Sequence, residues 1–322
     1  MKNEMNAMSR TDRFSGDTKV EGTSRTRLMS LLMRSLFSAK QKKPELLPLN
    51  AVDRAWGRLK ERNRGSRIEA ERLAVFNQAA DPSTYERGKS VRTTRATSVC
   101  VNYSKDATPA LRVAEECRSH GADVLVERAD VSDDAQCISI AKRVEERFGR
   151  CDVLVNNAGT TKFVDVIDLA GLDTADFQRI YAVNVIGPFQ MVRAFAPLLR
   201  RNANAAVVNV SSIAPLLGGG SSIAYIASKG ALNALTLALA KVLGPQITVN
   251  IVAPGMVDSP WLKNGLGAER FAAMARSYES SSALNTLVSP EDVAETIYFL
   301  GAIASKTTGE MHVVDGGRRL GR

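Results

Sequence analysis

From about residue 97 onward, the apolar positions fall into two alternating patterns. Short runs of nearly continuous apolar residues recur at 98–103 (SVCVNY), 122–126 (ADVLV), 153–156 (VLVN), 206–210 (AVVNV), 248–252 (TVNIV) and 311–314 (MHVV). Between them, at 108–119, 133–148, 174–200, 224–243 and 290–303, apolar residues return every three or four positions. The first pattern predicts strands that are apolar on both faces, and the second predicts amphipathic helices. Their alternation predicts βαβ units, hence an α/β, doubly wound parallel sheet covered by helices on both sides. The last helix has clear start signals: Ser289 as its cap, Pro290 in its first turn, and Glu291 and Asp292 at its positive end.

Residues 1–96 do not follow this alternation. The stretch 51–76 reads as one or two charged helices, and 77–90 (NQAADPSTYERGKS) as a linker. The most apolar run there, LMSLLMRSLF at 28–37, is interrupted by Arg34 and reads as a marginal surface helix, short of the ~20 residues a membrane span needs. The expected organisation is a basic, poorly ordered or partly helical N-terminal extension over 1–96, and one α/β domain over 97–322.

Charge supports that division. Residues 1–96 hold 21 Lys and Arg against 11 Asp and Glu, a net of +10, while the remainder holds 22 against 23, a net of −1. Such a basic segment fits either a nucleic-acid or anionic-membrane contact or a solvated extension. The solvated extension is preferred, because acidic residues are interspersed and aromatic residues are too sparse for a base-stacking surface. The four cysteines (100, 117, 137, 151) show no paired spacing, so small core residues in a reducing, cytoplasmic setting are expected. Two histidines, His120 and His312, argue against a histidine metal site or a Ser-His triad.

The candidate chemistry centres on SSIAYIASKGALNALTLALAKVLG, residues 221–244. Tyr225 and Lys229 stand four apart and share a helix face. An ammonium beside a phenol favours the phenolate, which makes Tyr225 a candidate general acid/base. The pair alone is weak: Tyr85 and Lys89 repeat the spacing in linker-like text around Gly88. Tyr225, unlike Tyr85, has companions. Ser212 ends the strand-like VVNVSS thirteen residues upstream and could donate to a substrate carbonyl, or simply cap a turn. Asn184 lies four residues before Pro188 in the long helix, so its carbonyl loses its usual helical partner and could hold a water, or the helix could simply kink. Three strand ends look open to a ligand: Asn156-Asn157-Ala158-Gly159, Pro254-Gly255, and Asp130-Val131.

Taken together and in this order, these features, with the ending TTGEMHVVDGG (307–317), resemble the short-chain dehydrogenase/reductase family over residues 97–322. The resemblance implies a Rossmann-like fold and an NAD(P)-dependent enzyme interconverting a carbonyl and a secondary alcohol. It implies Tyr225 as acid/base, Lys229 lowering the tyrosine pKa and holding the nicotinamide ribose, Ser212 polarising the carbonyl, and Asn184 supporting a proton relay. Asp130, Val131, Asn157, Ala158, Gly159, Pro254, Gly255, Val257 and Ser259 would line the cofactor. Segment 259–285 would form a lid whose Trp261, Leu262, Phe271 and Met274 suit an apolar pocket wall. A small-molecule substrate and a homo-oligomer, dimer or tetramer, are implied as well.

The family's first strand and its Thr-Gly-x-x-x-Gly-x-Gly turn have no clear counterpart. The turn should fall near 77–88, which contains one glycine, and no GxxxGxG occurs anywhere in 1–96. The first βα unit is therefore either missing or replaced, with RLAVF (72–76), which also reads as helix, the best substitute strand. A central gap would leave two strand edges unpaired, at about 1–3 kcal/mol per buried group. Such a loss leaves a catalytically impaired binding protein as the alternative function. The second strand ends in Asn102-Tyr103-Ser104-Lys105 without an acid, which tilts the expected cofactor from NAD toward NADP.

Overall fold

The computed structural model describes residues 72–77 and 96–321. The segment 28–37, the charged helices read before residue 72, and the linker and glycine-turn region at 78–95 lie outside the described residues.

Among the described residues, seven strands form one sheet: β1 (Arg72–Asn77), β2 (Ala96–Tyr103), β3 (Asp123–Arg128), β4 (Val153–Asn156), β5 (Ala205–Val210), β6 (Ile247–Pro254) and β7 (Met311–Val314). Their order is β3-β2-β1-β4-β5-β6-β7, and every pairing is parallel. The chain winds outward in one direction from β1 to β3 and in the other from β4 to β7, so the direction reverses between β1 and β4. In open α/β sheets, ligands bind at the carboxyl ends of the strands beside such a reversal. β1 sits at the centre, with Val75 opposite Cys100 on one side and Leu154 on the other. Pairing on both sides satisfies backbone groups that would otherwise be buried unpaired. The sheet thus takes in residues upstream of the boundary drawn at 97.

The helices connecting the strands are α1 (Ala107–Ser119), α2 (Asp134–Phe148), α3 (Thr174–Tyr181), α4 (Gly187–Leu199), α5 (Ala214–Leu217), α6 (Ile223–Leu243), α7 (Pro260–Leu266), α8 (Ala268–Ser281) and α9 (Pro290–Tyr298). Ser289 and Asp292 cap α9 reciprocally, as the sequence signals suggest. Side chains alternate across the sheet as strand geometry requires. Leu154, Cys100, Val207 and Val249 face one side and pack with Ile140 and Val144 of α2, Met191 and Phe195 of α4, and Leu239 of α6. Their neighbours Val153, Val155, Val208 and Val252 face the other side, against Val293 and Ile297 of α9. Val99 and Val101 share that second side, with Ala110 and Cys117 of α1. Fully buried side chains such as Phe195 and Leu154 each contribute about 1.5–3 kcal/mol by leaving water.

Two helical runs, Thr174–Leu199 and Ile223–Leu243, are long and apolar enough to cross a membrane by composition. Here they supply apolar side chains to the layer over the sheet. All four cysteines are buried and free.

Candidate active site

Three strand ends and one helix start converge at the carboxyl edge of the sheet. Ser222 caps α6, its Oγ accepting from the Tyr225 N–H at 3.2 Å. Tyr225 therefore sits in the first turn, with Lys229 one turn further along. Helix α6 is held to the sheet by a buried amide chain. Asn156 Nδ2 donates to Asn209 Oδ1 (2.8 Å), Asn209 Nδ2 donates to Thr236 Oγ1 (2.9 Å), and the Thr236 hydroxyl donates to the Leu232 carbonyl (2.7 Å). This chain explains why asparagines interrupt two otherwise apolar strands. A buried amide is tolerated when it is bonded, and the chain fixes α6 relative to β4 and β5.

Lys229 is only 3% exposed. Its Nζ donates to the Val210 carbonyl at 2.8 Å and lies 5.7 Å from the centre of the Tyr225 ring. Burial lowers the ammonium from its ordinary 10.5 to about 8. Tyr225 keeps part of its surface open, yet burial raises its phenol to about 12, while the hydrogen bond with the Ser212 side chain works the other way. The sequence predicts a phenol made easier to ionise by Lys229. In this structure desolvation dominates, and the ammonium is turned to a backbone carbonyl. Ser212 Oγ also accepts from the Ala214 N–H at 3.1 Å, so its turn-capping and site-facing readings hold together.

Asn184 lies in a π turn, Ala182–Ile186, inserted between α3 and α4 just before Gly187-Pro188. The irregularity is thus a one-turn widening of the helix, not a simple proline kink. The Asn184 side chain is fully engaged. Oδ1 accepts from the Thr160 N–H (2.8 Å), and Nδ2 donates to the Thr160 carbonyl (3.0 Å) and to Ser228 Oγ (2.9 Å). Its Oδ1 and Lys229 Nζ lie 3.6 and 3.7 Å from the point where a side chain on Gly159 would begin.

One cavity of about 630 Å³ gathers Asn157, Gly159, Ser212, Tyr225, Lys229, Pro254, Gly255, Val257 and Ser259. Ala158 and Asn184 are buried and do not line it. Asp130 and Val131 follow β3 and also lie outside it. Asp130 Oδ1 accepts from the Ser132 N–H and hydroxyl, at 2.9 and 2.7 Å. The Val131 carbonyl accepts from Gln190 Nε2 at 3.2 Å.

The expected lid is α7 and α8. Trp261 stands 6.4 Å from the Tyr225 ring and 5.6 Å from Phe163, so an aromatic wall closes over the phenol. Leu262 and Met274 line the cavity as expected; Phe271 does not, being 9% exposed with Lys263 over its ring. Among the lining residues that carry no signal in the sequence are Phe163, Tyr278 and Arg318. Tyr278 OH donates to the Asp315 carbonyl at 2.8 Å and crosses close over Gly255. A Cβ at Gly255 would lie 1.9 Å from that hydroxyl, so glycine is what lets the lid residue and the end of β6 meet.

At the end of β2, Asn102 Oδ1 and Ser104 Oγ are buried without a hydrogen-bond partner among the described residues, and Lys105 beside them is exposed. Buried polar atoms of this kind call for a partner beyond the described residues.

Comparison with known proteins bears on the fold and the family. The model of a family described as Enoyl-(Acyl carrier protein) reductase matches residues 92–319. A protein named ketoacyl reductase 2 of the granaticin polyketide synthase, from Streptomyces violaceoruber, is 43% identical over 199 residues, covering 62% of this chain and 78% of that one. A 3-oxoacyl-(acyl-carrier-protein) reductase from Synechocystis is 32% identical over 225 residues, 68% of this chain and 85% of its own. The crystal structure of a short-chain dehydrogenase/reductase from Burkholderia xenovorans superposes with a TM-score of 0.70 at 38% identity, over 78% of this chain and 99% of that one. With a parallel sheet reversing at β1 and β4, a Ser-Tyr-Lys cluster at its carboxyl edge and a family match over more than two thirds of its length, this chain belongs to the short-chain dehydrogenase/reductase family, as an oxidoreductase.

Proposed function

We propose that this protein reduces a carbonyl compound to a secondary alcohol, or the reverse, with NADP, or less favourably NAD, as its cofactor. The observation that carries the reading is the meeting of Tyr225, Ser212 and Lys229 in one cavity at the sheet's carboxyl edge. The residues present fit such a cofactor. Asn102 Oδ1 and Ser104 Oγ, without a partner among the described residues, would meet polar groups of the cofactor at the end of β2. No acid stands at 102–105 to repel a ribose phosphate, and Lys105 would attract one. Asp130 and Val131 would flank the adenine, and Asn157, Ala158, Gly159, Pro254, Gly255, Val257 and Ser259 would follow the cofactor inward.

The cofactor, when bound, supplies or accepts the hydride. The chain handles the proton and the oxygen. Ser212, in contact with the Tyr225 hydroxyl, donates to the carbonyl oxygen and fixes its position. Tyr225 OH gives its proton to that oxygen as negative charge develops there. At about 12 the phenol is protonated at neutral pH and ready to donate, and Lys229 sits close enough to stabilise the phenolate that results. Asn184 holds the Thr160 segment and Ser228 beside this cluster, which makes it a positioning residue. Trp261 and Phe163 exclude water from above.

Exposed apolar residues on α3, α4 and α6, among them Phe177, Phe189, Leu237 and Val242, support a homo-oligomer. The buried free cysteines support a reducing, cytoplasmic setting.

The test is a fluorescence titration of the full-length chain with NADPH and NADH. Saturable binding in the micromolar range, tighter for NADPH, is expected. Binding absent even at millimolar cofactor would end this reading in favour of a catalytically impaired binding protein, the outcome that the missing glycine turn favours. With 3-oxoacyl esters first in the substrate panel, as the names of two relatives suggest, Tyr225→Phe should abolish turnover and leave cofactor binding intact.

A further inference from the structure

The cavity has an unbalanced charge. Among the described residues, three cations line it, Lys229, Arg270 and Arg318, and no aspartate or glutamate does. Lys229 is committed to the Val210 carbonyl beside Tyr225. Arg270 is paired with Asp165 at 3.6 Å. Arg318 has no carboxylate partner among the described residues, although it is only partly exposed.

Its position is built by the turn after β7. Asp315 is 6% exposed, and its carboxylate accepts from the Gly317 and Arg319 N–H groups at 2.8 and 3.0 Å. Its carbonyl accepts from the Arg318 N–H at 3.0 Å and from Tyr278 OH at 2.8 Å. Gly317 takes a left-handed φ of +79°, which sets the direction of the next residue. The Arg318 guanidinium then lies 5.8 Å from the centre of the Tyr278 ring. A guanidinium supported on an aromatic face keeps its edge free to bind a planar anion through two parallel hydrogen bonds.

Tyr278 stands against it, and the same cavity is lined by the apolar Met256, Val257, Leu266 and Met274. In such surroundings one fixed positive charge matches one negative charge. A carboxylate, with two coplanar oxygens, matches the two parallel donors of one guanidinium edge. We propose that Arg318 is a specificity-determining residue that binds a substrate carboxylate, so that the preferred substrates are oxo acids or hydroxy acids with an apolar body. This rests on the carbonyl-reductase reading above and narrows its substrate class.

The test separates the two. Hexanoate and hexanamide are titrated calorimetrically into the full-length wild type, Arg318→Met and Arg318→Lys, each with and without saturating NADPH. Hexanoate should bind wild type at least about tenfold more tightly than hexanamide, a preference that Arg318→Met loses and Arg318→Lys partly keeps, with NADPH affinity unchanged. In turnover, Arg318→Met should lower kcat/KM for oxo acids by about ten- to a hundredfold and leave their methyl esters unaffected. Equal binding of the two ligands by wild type overturns the proposal. So does a preference that survives in Arg318→Met, or a loss of NADPH affinity beyond tenfold in that variant, which would assign the guanidinium to the cofactor. A carboxylate preference without any carbonyl turnover would instead sink the reductase reading and leave the binding assignment standing.

Discussion

Replacing Lys229 by methionine should change the stability of the protein in a pH-dependent way, and the size of the change follows from the burial of this residue. The ammonium is charged only below about 8 in the folded chain, against 10.5 in the unfolded one. Between those values the unfolded state binds more protons, so stability rises with pH across this window. Below the folded value the full penalty is present, and above the unfolded value it is gone. At about 1.4 kcal/mol per unit the gap corresponds to about 3–4 kcal/mol, of which about 2–3 should be recovered between roughly pH 7 and pH 10. Methionine removes the titration and retains a chain of similar bulk. It also loses the hydrogen bond to Val210 O, but at both pH values alike. The assay is urea unfolding of wild type and Lys229→Met, without cofactor, at the two pH values. The variant should be more stable relative to wild type at the lower pH by about 2–3 kcal/mol than at the higher one. A difference that stays constant within about 0.5 kcal/mol would refute the claim that Lys229 is charged at a desolvation cost in the folded protein.

Gly255→Ala should destabilise the protein by about 2–4 kcal/mol in chemical denaturation, because its Cβ would meet Tyr278 OH at 1.9 Å and break the buried bond to Asp315. Combining it with Tyr278→Phe should cost less than the sum of the two single changes, since the hydroxyl is the atom struck; strict additivity would show that the clash is relieved elsewhere. The thiols of Cys100, Cys117, Cys137 and Cys151 are at most 1% exposed, and burial raises Cys100, Cys137 and Cys151 well above the ordinary thiol range. A colorimetric thiol reagent should therefore find none in the native protein at neutral pH and four in urea, and rapid native labelling would contradict the packing of the β2 and β4 layer.

Much of this arrangement is legible in the sequence because it depends on local periodicity. The strands at 153–156 and 311–314 fall where the apolar runs end, and α9 begins at its Ser289 cap. The cluster of Tyr225, Lys229 and Ser212 is legible for a similar reason: one helix turn and one strand end fix all three side chains. The rest depends on contacts distant in sequence. RLAVF suits a helix or a strand equally, and it becomes β1 where it can pair with β2 and β4 together. Pro188 signals a break near Asn184 but not its form, since a π turn has no composition of its own. Phe271 looks like pocket wall by hydrophobicity alone, yet the helix turns it under Lys263. Tyr278 and Arg318 meet only because α8 brings Tyr278 over Gly255, and no spacing along the chain encodes that.

The π turn at Ala182–Ile186 carries one more consequence. It amounts to a single extra residue threaded into an otherwise regular helix. Each residue of an α-helix turns it by about 100°. If that residue were instead forced into a regular helix without the wide turn, everything on one side would be swung by that angle relative to the other. The packing of Met191 and Phe195 on the sheet and the docking of Asn184 on Thr160 and Ser228 could not then both be kept. Scaffold and site are thus offset by one position along the same helix, and the bulge is the gear that lets both mesh.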